Sequence, residues 1–87
     1  MKKQNRSINI IASEVAVCWG EKVSPYALPY LEAMLYLEDI NDFYGADSAR
    51  SIILYFLTNA GGFRGNDARR LKKELKALLS KRKNKKY

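Results

Sequence analysis

The sequence predicts an all-α fold, a small compact bundle of about four helices with a basic C-terminal helix and tail. Three observations carry that expectation. Four stretches place apolar residues at helical spacing. The segments between them hold turn-forming residues. No stretch offers a strand partner, and a lone strand would leave its backbone groups unpaired. With 47% of its 87 residues apolar, the chain suits one globular domain rather than a disordered segment. That size is close to the limit at which a single core gives only marginal stability. The organisation read from it is a basic N-terminal tail over 1–6, a helical domain over 7–80 and a basic flexible tail over 81–87.

The first helix is expected from Ser7 to Glu21. Ile8, Ile11, Ala12, Val15 and Trp19 follow one helical face, and Ser7 suits an N-cap. The β-branched runs "INII" and "VAV" also suit a strand, and only the missing partner favours helix. Helix two follows Ser24 and Pro25, with a turn over 25–28 and helix from Pro29 to Ile40. The connector "NDFYGAD" offers Gly45 for a turn and Asp47 as the cap of helix three. Helix three, Asp47 to Asn59, shows one apolar face of Ala49, Ile52, Ile53, Phe56 and Leu57, continued by Ala60. Helix four, Asp67 to Ser80, repeats the pattern with Ala68, Leu71, Leu75, Leu78 and Leu79. Its opposite face centres on Arg69, Lys73 and Lys76, with Arg70 and Lys72 on the edges.

Between helices three and four lies "NAGGFRGND". Helix punctuation explains most of it: Gly61 or Gly62 as a left-handed C-cap, Asn66 or Asp67 as an N-cap. Phe63 is then the anchor of the turn and Arg64 an extension of the basic face. A nucleotide-type phosphate loop would need Lys followed by Ser or Thr after the last glycine, and the sequence has neither there. Asp67 would also bring negative charge to that helix start.

Catalytic and metal chemistry find little support. Cys18 is the only cysteine and histidine is absent, which removes an intrachain disulfide and the common zinc, iron and copper ligand sets. Glu38, Asp39 and Asp42 read as a solvated acidic helix end. Cys18, beside Trp19 on an apolar helix, reads as a small buried thiol. No enzyme, cofactor or metal is therefore expected. "MKKQNR" and the apolar stretch after it resemble a signal peptide only until Glu14, and no clean cleavage site follows. The longest uncharged run, Ser51 to Phe63, has 13 residues against the roughly 20 a bilayer span requires. A soluble cytoplasmic protein without a membrane segment is the expectation.

Charge is segregated along the chain. Residues 1–6 carry +3 from Lys2, Lys3 and Arg6. Residues 7–63 carry −5, from Lys22 and Arg50 against seven carboxylates. Residues 64–87 carry +9, from eleven Lys or Arg against Asp67 and Glu74. One-signed charge at one end favours an anionic partner there. The candidate contacts for a phosphate backbone are Arg64, Arg69, Arg70, Lys72, Lys73, Lys76, Lys81, Arg82 and Lys83. No Asn or Gln falls on that face of the expected helix, although Arg69 or Arg70 could reach a guanine. The bland alternative is a solvated helix and a charged tail that aids solubility. A second surface follows from helices two and three, whose polar strips are narrow. Leu35, Tyr36, Leu54 and Tyr55 are either covered by the first helix or form an interface with a second copy or a protein partner.

The stretches "PYALPYLEAM" and "YGADSARSIILYFLTNAGGFRGNDARRLKKELKALL" carry a further likeness. Across Ser24 to Leu79 the chain resembles a group of small uncharacterised proteins of bacterial tailed phages and prophages. "YFLTNA" leading into "FRG" and a basic helix is the most distinctive piece, with Phe63 where related proteins carry Trp. The group has no established activity, so the resemblance implies only a setting, a phage protein made in the cytoplasm of a bacterial host. The function expected is a non-catalytic phage-type accessory protein binding nucleic acid, non-specific DNA first, through its basic C-terminal helix and tail. The alternative is a protein-interaction or assembly module, homo-oligomeric or virion-associated, whose tail meets an acidic protein surface.

Overall fold

The first apolar stripe folds as a helix. In the computed structural model, which describes residues 6–80, α1 runs Ile8–Trp19 and buries Ile8, Ile11, Ala12, Val15 and Trp19. Those are the five positions the spacing singles out, so burial of one face decides against the strand reading. The two expected tails fall almost wholly in 1–5 and 81–87, outside the described residues, and with them Lys81, Arg82 and Lys83. Ser7 occupies the N-cap position with extended backbone, but its hydroxyl donates to the Asn9 side-chain oxygen at 2.8 Å instead of capping the helix. One orphan N–H of that first turn, on Ile8, donates to the Glu38 carbonyl at 3.0 Å. Gly20, at φ 63°, ends the helix two residues before the expected limit, and Glu21 falls in a 3-10 turn over Gly20–Lys22.

Ser24 fixes the start of the next element, its hydroxyl accepting the Ala27 N–H at 3.1 Å. The turn covers 25–27, and α2 spans only Leu28–Met34, starting one residue before the expected Pro29 and stopping six residues short of Ile40. The end tightens into i to i−3 bonds, from the N–H groups of Tyr36 and Leu37 to the carbonyls of Ala33 and Met34. Beyond it the Asp42 carboxylate accepts the N–H groups of Glu38 and Asp39 at 3.1 and 3.0 Å, holding the chain in a loop. A short side-chain acceptor has outcompeted the helix for those donors. Leu37 and Ile40 are buried all the same, from an irregular path rather than a helix face.

The connector contains the fold's departure from a purely helical bundle. β1 (Phe43–Tyr44) and β2 (Asp47–Ser48) pair antiparallel around a two-residue turn, in which Gly45 takes φ 64°. Positive φ at that position is what a tight hairpin turn requires. Among the described residues the fold is thus mostly helical with one small two-stranded sheet. Asp47 lies in β2, and Ser48 is the residue that caps α3 (Ala49–Thr58), accepting the Ser51 N–H at 3.1 Å. α4 covers Asn66–Ser80.

The helices pair as α1 with α4 and α2, and α3 with α2 and α4. Twenty-one apolar side chains form a single cluster between them, with Phe56, Ile8, Ile11 and Met34 among the largest fully buried. Trp19 stacks on Phe63 with ring centroids 5.0 Å apart and meets Phe56 edge-on at 6.1 Å. Phe63 thereby anchors the turn between α3 and α4 from within the core.

That turn does not use its glycines as expected. Gly61 and Gly62 avoid positive φ, whereas Gly65 takes φ 106°. The Gly65 carbonyl accepts the Arg69 N–H at 2.9 Å, so Gly65 holds the N-cap position of α4. Asn66 and Asp67 are its first two helical residues, not its caps. Gly65→Ala is expected to cost about 1–3 kcal/mol because a Cβ strains that backbone conformation. Gly61→Ala, which meets nothing within 4 Å, should leave stability nearly unchanged. Urea unfolding of the two variants checks the pair.

Candidate nucleic-acid interface

Packing of α4 sets the geography of its charges. Ala68, Leu71, Leu75 and Leu78 are buried, so the helix lies with that stripe against the core. At about 100° per residue, Lys72, Lys76, Arg69 and Lys73 then occupy an arc of about 100° on the far side. Arg69, Lys73 and Lys76 are exposed, and Lys72 is half-buried at the edge, as its flank position predicts. Asn66, one residue earlier than the expected start, adds an exposed amide about 60° round from Arg69 and so borders this face.

The other flank of α4 belongs to α1. Arg6 forks onto Glu74, with Nε to Oε2 at 2.9 Å, and also reaches Glu14 at 2.9 Å. Arg70 donates to Glu14 at 2.6 Å and to Asp67 at 3.2 Å. This chain of alternating charge, Asp67–Arg70–Glu14–Arg6–Glu74, ties the start of α1 and its middle to α4. Each bridge is partly exposed, so solvent screening leaves each only a small contribution to stability. Its larger effect is to sort charges. Arg70 is engaged with two carboxylates, and Arg6 belongs to this network rather than to a solvated N-terminal tail.

Both carboxylates of residues 64–80, Asp67 and Glu74, sit in that network. Five cations of the same segment, Arg64, Arg69, Lys72, Lys73 and Lys76, make no ion pair among the described residues. Arg64 lies just ahead of the helix and is exposed, with a long 3.4 Å contact from Nε to the Gly61 carbonyl. Lys72 extends over the Phe63 ring, 5.8 Å from its centroid. Partial burial, with Lys76 and Arg64 close by, pushes the Lys72 ammonium below its ordinary value. Burial is the larger cause and the neighbouring cations the smaller, and an anion beside the ammonium would offset both.

A depression of ≈ 250 Å³ opens here, lined by Phe63, Arg64, Gly65, Ala68, Arg69 and Lys72. Nothing in the sequence pattern announces it, because it depends on how the turn lays Phe63 beneath the first turn of α4.

The second candidate surface is also outward. Leu35, Tyr36, Leu54 and Tyr55 are 38%, 77%, 50% and 50% exposed, so α1 does not cover them. Tyr55 packs on Tyr30 across α2 and α3, with centroids 5.4 Å apart, and Tyr36 on Tyr44 of β1 at 6.0 Å. Phe43 adds a further exposed ring. Glu38, Asp39 and Asp42, read from sequence as a solvated helix end, are loop formers instead, with the Asp39 carboxylate accepting the Asn41 N–H at 2.9 Å. Cys18 is exposed, contrary to the expected burial, because it lies on the flank of the stripe that holds Val15 and Trp19, near the end of α1. Partial desolvation, then the carboxylates of Asp67 and Glu14, push its thiol above the ordinary value, which favours the unreactive protonated form. Among the described residues, no group of three or more His, Cys, Asp or Glu is placed to hold a metal ion, and no helix is long and apolar enough to cross a membrane.

No family model, no curated protein and no solved structure matches the chain.

The network gives a pH signature with a definite sign. Hydrogen bonds from Arg70 and then Arg6 hold the Glu14 carboxyl below its ordinary 4.5. A depressed carboxyl contributes stability that is complete above the unfolded value and is lost as pH falls through the folded one. Acid unfolding should therefore steepen below pH 4.5, and Glu14→Gln should remove part of that limb. Asp42, lowered by the Asp39 and Glu38 N–H groups, should supply the acid dependence that remains. Melting temperatures across pH 3 to 7, roughly the carboxylate titration range, measure both.

Proposed function

We propose that this chain is a non-catalytic, phage-type accessory protein that binds nucleic acid, DNA with little sequence preference, through the outer face of α4 and the basic residues that follow. The observation that carries the reading is the sorting of charge: five cations on one side, with the carboxylates of the segment drawn to the other. A phosphate backbone is the partner that such a face suits, because each contact releases counterions. Arg64, Arg69 and Asn66 are the side chains on this side with planar groups suited to a two-point contact with a base edge, too few for a sequence code. We leave Arg70 out of the contact set, because its guanidinium already faces two carboxylates. The phage setting rests on the resemblance of Ser24 to Leu79 and enters no step of this argument.

Duplex affinity should fall steeply with salt. Neutralising Arg69, Lys73 and Lys76 together should weaken binding to unrelated sequences alike and lower the log–log salt slope by about 3. Arg70→Gln should instead lower stability while leaving affinity close to that of the parent protein. Fluorescence anisotropy with a labelled random duplex reads the affinities and urea unfolding the stability, and salt-independent binding overturns the proposal.

One observation favours a second reading, an assembly or protein-interaction module. Leu35, Tyr36, Phe43, Leu54 and Tyr55 are large apolar side chains exposed on α2, β1 and α3, and aromatic residues of this kind are enriched at protein interfaces. If a second copy covers them, Leu54→Glu with Tyr55→Glu should convert an oligomer into a folded monomer in light scattering. A monomeric parent at high concentration counts against this reading.

A further inference from the structure

The basic face is not uniform. Lys73 and Lys76 stand on the convex outside of α4, whereas Arg64, Arg69 and Lys72 surround a concavity floored by Phe63 and Ala68. Both floor residues are almost fully buried, at 3% and 1% exposed, so the floor is fixed by the core. Gly65 contributes a wall with no side chain, and an added Cβ there would meet nothing within 4 Å, which leaves that side open. At ≈ 250 Å³ the space lies below the roughly 300–1,000 Å³ of drug-sized pockets, enough for one phosphate and an adjoining sugar. Asp67, whose charge would repel an anion at this helix start, faces Arg70 at 3.2 Å and is not among the lining residues.

We infer that this depression is a phosphate subsite, holding a single phosphate group between Arg64, Arg69 and Lys72 at the first turn of α4. The inference rests on the nucleic-acid reading for its natural ligand, a phosphate of a bound strand, and gives that binding a fixed point. Three cations around one concave site offer a phosphate more charge than the convex positions can. Arg64 and Arg69 bring planar guanidinium forks suited to two oxygens at once, and Lys72 brings a point charge from above the Phe63 ring. Phosphates further along a strand would then fall against Lys76 and Lys73, with Arg69 and Lys76 separated by about 10 Å along the helix. The contact is ordered at one end and diffuse at the other.

Trp19 supplies the probe. It is the only tryptophan, and its ring stacks 5.0 Å from Phe63, the floor of the site. Inorganic phosphate is titrated into the full chain at constant ionic strength, with chloride as the counter-titration, and Trp19 fluorescence and phosphate 31P line width are followed. A saturable response to phosphate is expected, absent with chloride. It should be lost in Arg64→Gln with Lys72→Met and kept in Lys73→Gln with Lys76→Met, which removes the same charge from the convex face. The four positions are at or near the surface, and circular dichroism verifies that both variants fold. The same two variants are then tested on a random duplex, with a several-fold larger loss of affinity expected for the pocket pair. Saturable phosphate binding without duplex binding would leave the subsite standing and remove the nucleic-acid reading. Duplex binding with equal losses for the two variants, and a phosphate response that is linear or unchanged in the pocket variant, would overturn the subsite and leave that reading intact.

Discussion

The indole of Trp19 lies face to face with Phe63 and edge-on to Phe56, so one side chain joins α1, α3 and the turn into α4. Burying an aromatic of this size and pairing it twice is worth more than any polar contact on the surface. The consequence reaches the charged face directly. With Phe63 pinned beneath it, the turn must deliver α4 at one angle, which brings Gly65 to φ 106° and sets Arg64, Arg69 and Lys72 around the same ring. The apolar stripe of α4 then fixes its rotation about its own axis. The placement of the cations is therefore a property of the core, not of the cations.

Charge sorting follows from the same geometry. α1 runs beside α4 and carries Glu14 at its middle, with Arg6 just ahead of it, and these two meet Arg70, Asp67 and Glu74. Three carboxylates and two guanidinium groups are thereby gathered on one flank. The flank is close to neutral, and the outer face is left with one sign. Arg50 makes a related contribution at the other end, its guanidinium donating to the Leu79 carbonyl at 2.7 Å, where a cation complements the helix dipole. In this arrangement α3 and α1 hold α4 as a rigid rod, and the tyrosine-bearing side formed by α2, β1 and α3 is a separate surface.

The buried stripes were legible in the sequence because helical period alone decides them. Ile8, Ile11, Ala12, Val15 and Trp19 on α1, and Ala68, Leu71, Leu75 and Leu78 on α4, are positions that spacing selects, while Leu79, selected with them, is only half-buried. The anchoring role of Phe63 was also readable, as an aromatic stranded among glycines. What stayed hidden depends on competition between local solutions of similar energy. Nothing in "LEDIND" says that the Asp42 carboxylate will take the N–H groups of Glu38 and Asp39 and end α2 at Met34. Three glycines lie in one turn, and nothing in their order says that Gly65 is the one at positive φ. The hairpin of two residues per strand is too short to show a period of two. Arg70 and Lys72 look equivalent on a helical projection, yet α1 neutralises the first and the Phe63 ring receives the second. Pair contacts across helices separate them, and no local pattern encodes those.

The proposed contact runs from Arg64 along the outer face of α4 into the basic residues that follow, and leaves the tyrosine-bearing side free. Amide chemical-shift mapping of the labelled protein with a short random duplex tests it most directly, at low salt and again at moderate salt. Perturbations are expected only, among the described residues, from Arg64 through Lys76, diminishing together as salt rises. Perturbations centred on Tyr36, Leu54 and Tyr55, or shifts that persist at moderate salt, would contradict it.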